Sequence, residues 1–207
     1  MDPAALLRPG ALDGLAVALG GGGGGDAFGA SLTALGARTA ALPATLDEEA
    51  MAAAVDPAAR ALVHDLRPAF ARAPAPVEDP LRATLDLAWV TVRAVASAAF
   101  ISRSGAGPAS GGHVAASGTR KGGKITLIAP APDDTQPAVA GVRAAAENLA
   151  RTLSIEWARH GITTVAITPG VGTADDDLAA LVAYLASPAG DYFSGCRLAL
   201  GEAALAA

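Results

Sequence analysis

The sequence predicts an α/β protein: a doubly wound, mostly parallel sheet with helices on both faces. Three observations carry this. Short runs rich in β-branched and apolar residues alternate with longer stretches of helical periodicity. The stretch Lys124–Gly170 reads as strand, long helix, strand, a βαβ unit whose two strands must be parallel with a right-handed crossover. The stretch Leu15–Leu42 repeats that order, with the glycines Gly20–Gly25 between its first strand and its helix.

Taken in order, Leu15–Leu19 is a short apolar strand that runs into the glycines. Asp26 can cap a helix through Ala27–Leu35, and Gly36 stops it. Ala37–Leu42 is a second strand ended by Pro43. Strand, glycine loop, helix, strand is how a nucleotide-binding unit opens, although a low-complexity turn in an Ala/Gly-rich chain has the same composition. Leu46–Val55 reads as a helix and Arg60–His64 as a third strand. Pro68–Pro80 is a proline-punctuated loop. A helix comes next, from about Leu81 to Ile101, with Leu85, Trp89, Val92 and Ala96 on one face. Residues 102–123 are Gly/Ser/Ala-rich without periodicity and read as a mobile surface loop. Lys124–Ala129 is a buried strand. Ala138–His160 is a helix whose stripe is Val142, Ala146, Leu149, Leu153 and Trp157, with Arg143, Glu147 and Arg151 four apart on another face. Gly161 stops it, and Ile162–Ile167 is the next strand. Ala174–Ala186 is a last helix with Leu178, Leu181, Val182 and Leu185 inward, and Ser194–Leu200 a final strand.

A chain of 207 residues is expected to form one domain, 1–207. It is 52% hydrophobic but only 4% aromatic, so its core is built from small side chains in close helix-to-sheet contact. A net charge of −5 argues against nucleic acid or an anionic membrane as partner. The single cysteine, Cys196, excludes an internal disulfide and a cysteine-based zinc site, and fits a reducing cytosol. No long apolar run free of charge and glycine and no charged-then-apolar leader is visible, so a soluble, cytoplasmic protein is expected. His64, His113 and His160 lack metal spacing and read as surface or loop residues. No metal is expected. Arg103, Arg120, Lys121 and Lys124 could reach an anionic ligand, or could simply be solvated.

ENLARTLSIEWARHGITTVAITPG followed by LVAYLASPAGDYFSGCRLALGE resembles the C-terminal half of a short-chain dehydrogenase/reductase. The resemblance is fainter over Leu15–Leu42 and Asp86–Phe100. It implies a Rossmann-like fold, shortened relative to the family, since only residues 43–59 separate the second strand from the third. It also implies a catalytic set: a tyrosine acid/base, a lysine four residues later, a serine that orients the carbonyl, and an asparagine. Those positions fall here at Val139, Arg143, Ala129 (or Pro130) and Asp86. Valine has no proton to give, and arginine is a poor lysine mimic. No catalytic residue is therefore expected. The family's phosphate-binding glycines fall at Gly20, Gly22 and Gly24 with blurred spacing, and its threonine at Leu19. Asp26 stands where a pyrophosphate would lie and would repel it. No residue after Leu42-Pro43 reads the adenosine ribose, and His64-Asp65-Leu66-Arg67 replaces the family's N-N-A-G. No tight NAD(P) binding is expected, and the substrate lid is missing between Thr173 and Asp177.

The helices Ala138–His160 and Ala174–Ala186 and the strand Ser194–Leu200 keep family-like sequence, and in the family these elements form subunit interfaces. The expectation is a catalytically inactive subunit that pairs with an active, homologous short-chain reductase, or with itself. Two alternatives stay open: an atypical NAD(P)-dependent oxidoreductase using Asp86, His64 or Tyr192, and a non-catalytic module that senses a nucleotide or acyl-CoA.

Overall fold

The computed structural model describes residues 7–22, 25–72, 79–101 and 122–201. The strands are β1 (Ala16–Gly20), β2 (Arg38–Ala41), β3 (Ala61–Asp65), β4 (Lys124–Ile128), β5 (Thr163–Pro169) and β6 (Arg197–Leu200). They form one parallel sheet in the order β2-β1-β3-β4-β5-β6. Its register runs Ala18–Leu62–Ile125–Thr164 across the four central strands. The helices are α1 (Gly25–Ala34), α2 (Glu48–Ala54), α3 (Arg67–Arg72), α4 (Pro80–Val95), α5 (Pro137–Glu156) and α6 (Asp175–Ala186).

Parallel strands covered on both faces must be apolar on both, and β1 and β3 are buried at every position. Alternation sorts their side chains by layer. Val17, Val63 and Ile167 meet Phe28 and Leu32 of α1 and Leu178 and Val182 of α6 on one face. Ala18, Leu62 and Ile125 meet Met51 of α2, Val92 and Val95 of α4 and Leu153 of α5 on the other. The doubly wound parallel sheet expected from the sequence is thus the observed one. The usual order for such sheets is 3-2-1-4-5-6; here the strand outside β2 is absent, because residues 43–59 hold only α2. The shortening lies at that edge.

Several sequence expectations need correction. Pro68 does not open a loop but sits in the first turn of α3, where its missing N–H costs nothing. The buried face of α4 is Thr84, Leu87, Ala88, Thr91, Val92 and Val95, and Trp89 is 42% exposed. Periodicity misplaced that face because two of its members are threonines. Each satisfies its own hydroxyl on the preceding turn, Thr84 at Pro80 O (2.6 Å) and Thr91 at Leu87 O (2.8 Å), and so tolerates burial. The helix continues as a wider π-type turn over Ala96–Ile101 that buries Phe100. Pro80–Ile101 is long and apolar enough to cross a membrane, but it buries most of its surface inside the protein and serves as a core helix.

Of the loop expected at 102–123, residues 102–121 lie outside those described, together with Arg103, His113, Arg120 and Lys121. Gly122 and Gly123 are buried. A Cβ on Gly123 would lie 2.4 Å from the Phe100 ring, so the chain enters β4 through a contact only glycine permits. Cys196 precedes β6 instead of lying within it, and partial burial pushes its thiol pKa up. Arg151 pairs with Glu147 (2.7 Å) along α5 as expected, but Arg143 turns inward.

Lys124 does not reach for a ligand. At the amino end of β4 its ammonium pairs with Asp191 (2.6 Å) and donates to the carbonyls of Leu185, Ala186 and Ser187, which closes the carboxyl end of α6. Removing a mostly buried ammonium leaves three carbonyls and a carboxylate short of a donor. We expect Lys124→Met to lower stability by about 2–4 kcal/mol in urea unfolding; a change within about 0.5 kcal/mol would contradict this role.

Candidate functional site

In open parallel sheets a ligand crevice forms at the carboxyl ends of the strands, where the order reverses. Here the reversal lies between β1 and β3, since β2 pairs on the far side of β1. The chain leaves β1 at Gly20 and turns through Gly21 (φ +97°) and Gly22 (φ +73°) before α1 begins at Gly25. Each glycine is required. A Cβ on Gly20 would lie 2.4 Å from Nδ1 of His64, and one on Gly21 would lie 1.9 Å from the carbonyl oxygen of Asp65. The loop therefore rests directly on the end of β3. Of the glycines singled out from sequence, Gly20 and Gly22 stand at this turn; Gly24 and the side chain of Asp26 lie outside the described residues.

His64 is fully buried beneath this loop, not on the surface as the sequence suggested. Neither ring nitrogen has a hydrogen-bond partner, and burial lowers its pKa to about 4. The neighbouring residue carries the opposite logic. Asp65 is almost fully buried, and Arg67 clamps it with Nε to Oδ1 (3.0 Å) and Nη2 to Oδ2 (2.9 Å). Arg67 also reaches Asp175 at the start of α6 (2.8 Å) and lies 5.5 Å over the Phe28 ring of α1. Burial works against the Arg67 charge, but Asp65 and then Asp175 outweigh it, and its pKa moves up. One guanidinium thus ties β3, α1 and α6 together at the mouth of the crevice.

A second guanidinium covers the glycine turn. Arg72, at the end of α3, donates to Gly21 O (2.9 Å) and Gly22 O (2.6 Å). It is exposed, and no carboxylate among the described residues pairs with it.

The positions expected to carry chemistry lie further along the same edge. Ala129 is fully buried past β4, and its N–H donates to Ile167 O (2.9 Å). Val139 is 3% exposed in the first turn of α5. Arg143, one turn on, donates to Pro130 O (2.7 Å) and Pro169 O (2.8 Å), bridging the ends of β4 and β5. Asp86 is not brought to them; it faces outward on α4 and meets Arg82 (3.4 Å), while Ala88 packs against Ala129, Val142 and Ala146. Nor do Asp86, His64 and Tyr192 form a constellation. Tyr192 is 92% exposed beside Asp191, at the amino edge of the sheet where Lys124 begins β4. Among the described residues no cluster of three or more His, Cys, Asp or Glu could hold a metal.

The comparison with solved structures decides the fold family. A 2-deoxy-D-gluconate 3-dehydrogenase from Agrobacterium tumefaciens, provisionally assigned as such and solved with bound NADP, superposes with a TM-score of 0.69 at 20% identity, covering 94% of this chain and 98% of its own. A short-chain dehydrogenase/reductase from Serratia marcescens gives 0.65 at 22% identity over 93% and 99%. A provisionally assigned NAD(P)-dependent gluconate 5-dehydrogenase from Beutenbergia cavernae, with NADP at low occupancy, gives 0.64 at 23% over 92% and 96%. This is the short-chain dehydrogenase/reductase fold. No family model matches the sequence, and no curated relative does.

These neighbours correct one expectation. Two hold NADP on the short-chain dehydrogenase/reductase fold over more than nine-tenths of this chain, which overturns the expectation of no tight NAD(P) binding. The expectation failed because it weighed the spacing of the glycines instead of what they build. The turn at Gly20–Gly22 packs on the end of β3 too closely for a side chain at Gly20 or Gly21, runs through two left-handed glycines and leads to a helix N-terminus. The phosphate-bearing half of a dinucleotide fits these residues. At the positions the resemblance assigned to catalysis, Ala129 and Val139 carry no ionisable group, and Arg143 is held by two carbonyls.

His64 yields a test. A histidine whose folded pKa is depressed stays neutral in the fold but binds a proton when unfolded, so stability is complete above about pH 6.5 and falls as pH drops toward 4. The loss is on the order of 3 kcal/mol. Urea unfolding of the wild type and His64→Leu at a series of pH values should show this decline in the first and its absence in the second; identical slopes would place the decline elsewhere.

Proposed function

We propose that this chain is a nucleotide-binding subunit of short-chain dehydrogenase/reductase type that does not itself transfer hydride, and that it pairs with a catalytically complete reductase or with a second copy of itself. The observation that carries this is Arg143. The family resemblance puts the ribose-holding lysine at this position. Here a guanidinium stands instead, donating to Pro130 O and Pro169 O, so it acts as a brace between β4 and β5. Val139 on the same helix offers no acid or base.

A nicotinamide dinucleotide, when bound, supplies a hydride donor or acceptor. The residues of this chain would hold its phosphates on the turn Gly20–Gly22 and the first N–H groups of α1. The Arg67 clamp on Asp65 and Asp175 shapes the wall of the crevice. Pairing is supported by the outer faces of α4 and α5, where Trp89 (42%) and Ile155 (76%) stay exposed. The cytosol suits the unpaired thiol of Cys196.

The test has two parts. Fluorescence titration with NADPH and NADH should give saturable binding of at least one; no binding at millimolar cofactor would end the nucleotide reading. Production together with a homologous active reductase should yield a stable complex, or the chain alone should sediment as a dimer or larger. A monomer that binds no such reductase would end the subunit reading.

A further inference from the structure

We infer that Arg72 reads a phosphomonoester on the adenosine ribose, so that this crevice selects nucleotides carrying that extra phosphate over those with a free ribose. The inference deepens the nucleotide-binding reading above and rests on it.

In doubly wound sheets the ribose of the adenosine lies at the end of the second strand, where a carboxylate accepts from its hydroxyls or a nearby arginine takes a phosphate in their place. Past the end of β2, Leu42 is buried, and Pro43 and Ala44 have no polar side chain. The Thr45 hydroxyl accepts from Asp47 N (3.1 Å). The first carboxylate, Asp47, caps α2 by accepting from Glu49 N and Ala50 N (3.0 Å each). Among the described residues at this end of β2, the polar side chains Thr45 and Asp47 are thus both engaged with the start of α2.

What does stand there is Arg72. A Cβ on Gly22 would lie 2.8 Å from both the Ala44 Cβ and Nη2 of Arg72, so the guanidinium sits where the glycine turn meets the segment after β2. Gly21 O and Gly22 O fix its orientation by accepting one hydrogen bond from each Nη. A guanidinium has five N–H donors; those beyond the two in use have no carboxylate among the described residues. Arg67, one turn earlier, is different: Asp65 and Asp175 already neutralise it. An oriented, exposed, carboxylate-free guanidinium matches a phosphate dianion in a bidentate fork, and a hydroxyl offers it far less.

Two nucleotide classes carry such a group, at the ribose 2′ position in NADP(H) and at the 3′ position in coenzyme A. Calorimetric titration with 5′-AMP, adenosine 2′,5′-bisphosphate and adenosine 3′,5′-bisphosphate separates them. The wild type should bind one bisphosphate at least about tenfold more tightly than 5′-AMP. Arg72→Ala should erase that preference, bringing the ratio of bisphosphate to 5′-AMP affinity to about one, and Arg72→Lys should keep part of it, since it retains charge without the fork. Ratios within one variant cancel any general loss of folding. A 2′ preference assigns the site to NADP(H) and a 3′ preference to coenzyme A. Equal affinities in the wild type, or a preference that survives Arg72→Ala, would overturn the inference while leaving nucleotide binding intact. Failure of all three ligands to bind would overturn both.

Discussion

The contact on which the rest of the structure depends is that of the Gly21 backbone with the carbonyl of Asp65. With the would-be Cβ of Gly21 only 1.9 Å from that oxygen, the turn after β1 can lie on the end of β3 solely because position 21 has no side chain. That contact closes the sheet at its point of reversal. It buries His64 under the turn and fixes where α1 starts. It also brings Gly21 O and Gly22 O within reach of α3. The crevice is thus a consequence of backbone meeting backbone, and the side chains around it are arranged on that base.

The charges there are divided between two arginines from one short helix. Arg67 is partly buried and saturated with carboxylates, and it holds β3, α1 and α6 in place, a structural use of charge that needs its bidentate geometry to offset desolvation. Arg72 is exposed and, among the described residues, bound to the carbonyls of Gly21 and Gly22. Arg143 does for β4 and β5 what Arg67 does for β3 and α6. A fold built largely of alanine has few large side chains to lock its loops. Guanidiniums that bridge strand ends serve that purpose here.

Periodicity made most of the fold legible. The β-branched runs at β4 and β5 and the stripe on α5 have no competing explanation, and their parallel pairing followed from the length between them. The candidate site was legible only as positions. Val139, Ala129 and Arg143 could be placed by resemblance, but the bonds of Arg143 to Pro130 O and Pro169 O are contacts made through the fold. Arg67 stood out only in the segment that replaces the family's N-N-A-G, and Arg72 and Asp175 did not stand out at all, because the roles of both arginines depend on α3, a helix too short for any period and disguised by Pro68. His64 was misjudged because histidine is ordinarily solvated, and nothing local says that Gly20 will cover it. The cofactor was misjudged for a related reason: irregular glycine spacing hides a turn whose geometry depends on its contact with β3.

Binding separated from chemistry is the central claim for this crevice. The most direct measurement incubates the purified chain with nicotinamide dinucleotides deuterated at the transferable position and a panel of aldehydes and ketones. Deuterium in the products is then followed by mass spectrometry. The expected result is no transfer above a protein-free control, even at cofactor concentrations that saturate the chain. Transfer that scales with the amount of this protein would contradict the claim and assign to the crevice a proton donor outside Val139, Arg143 and Ala129.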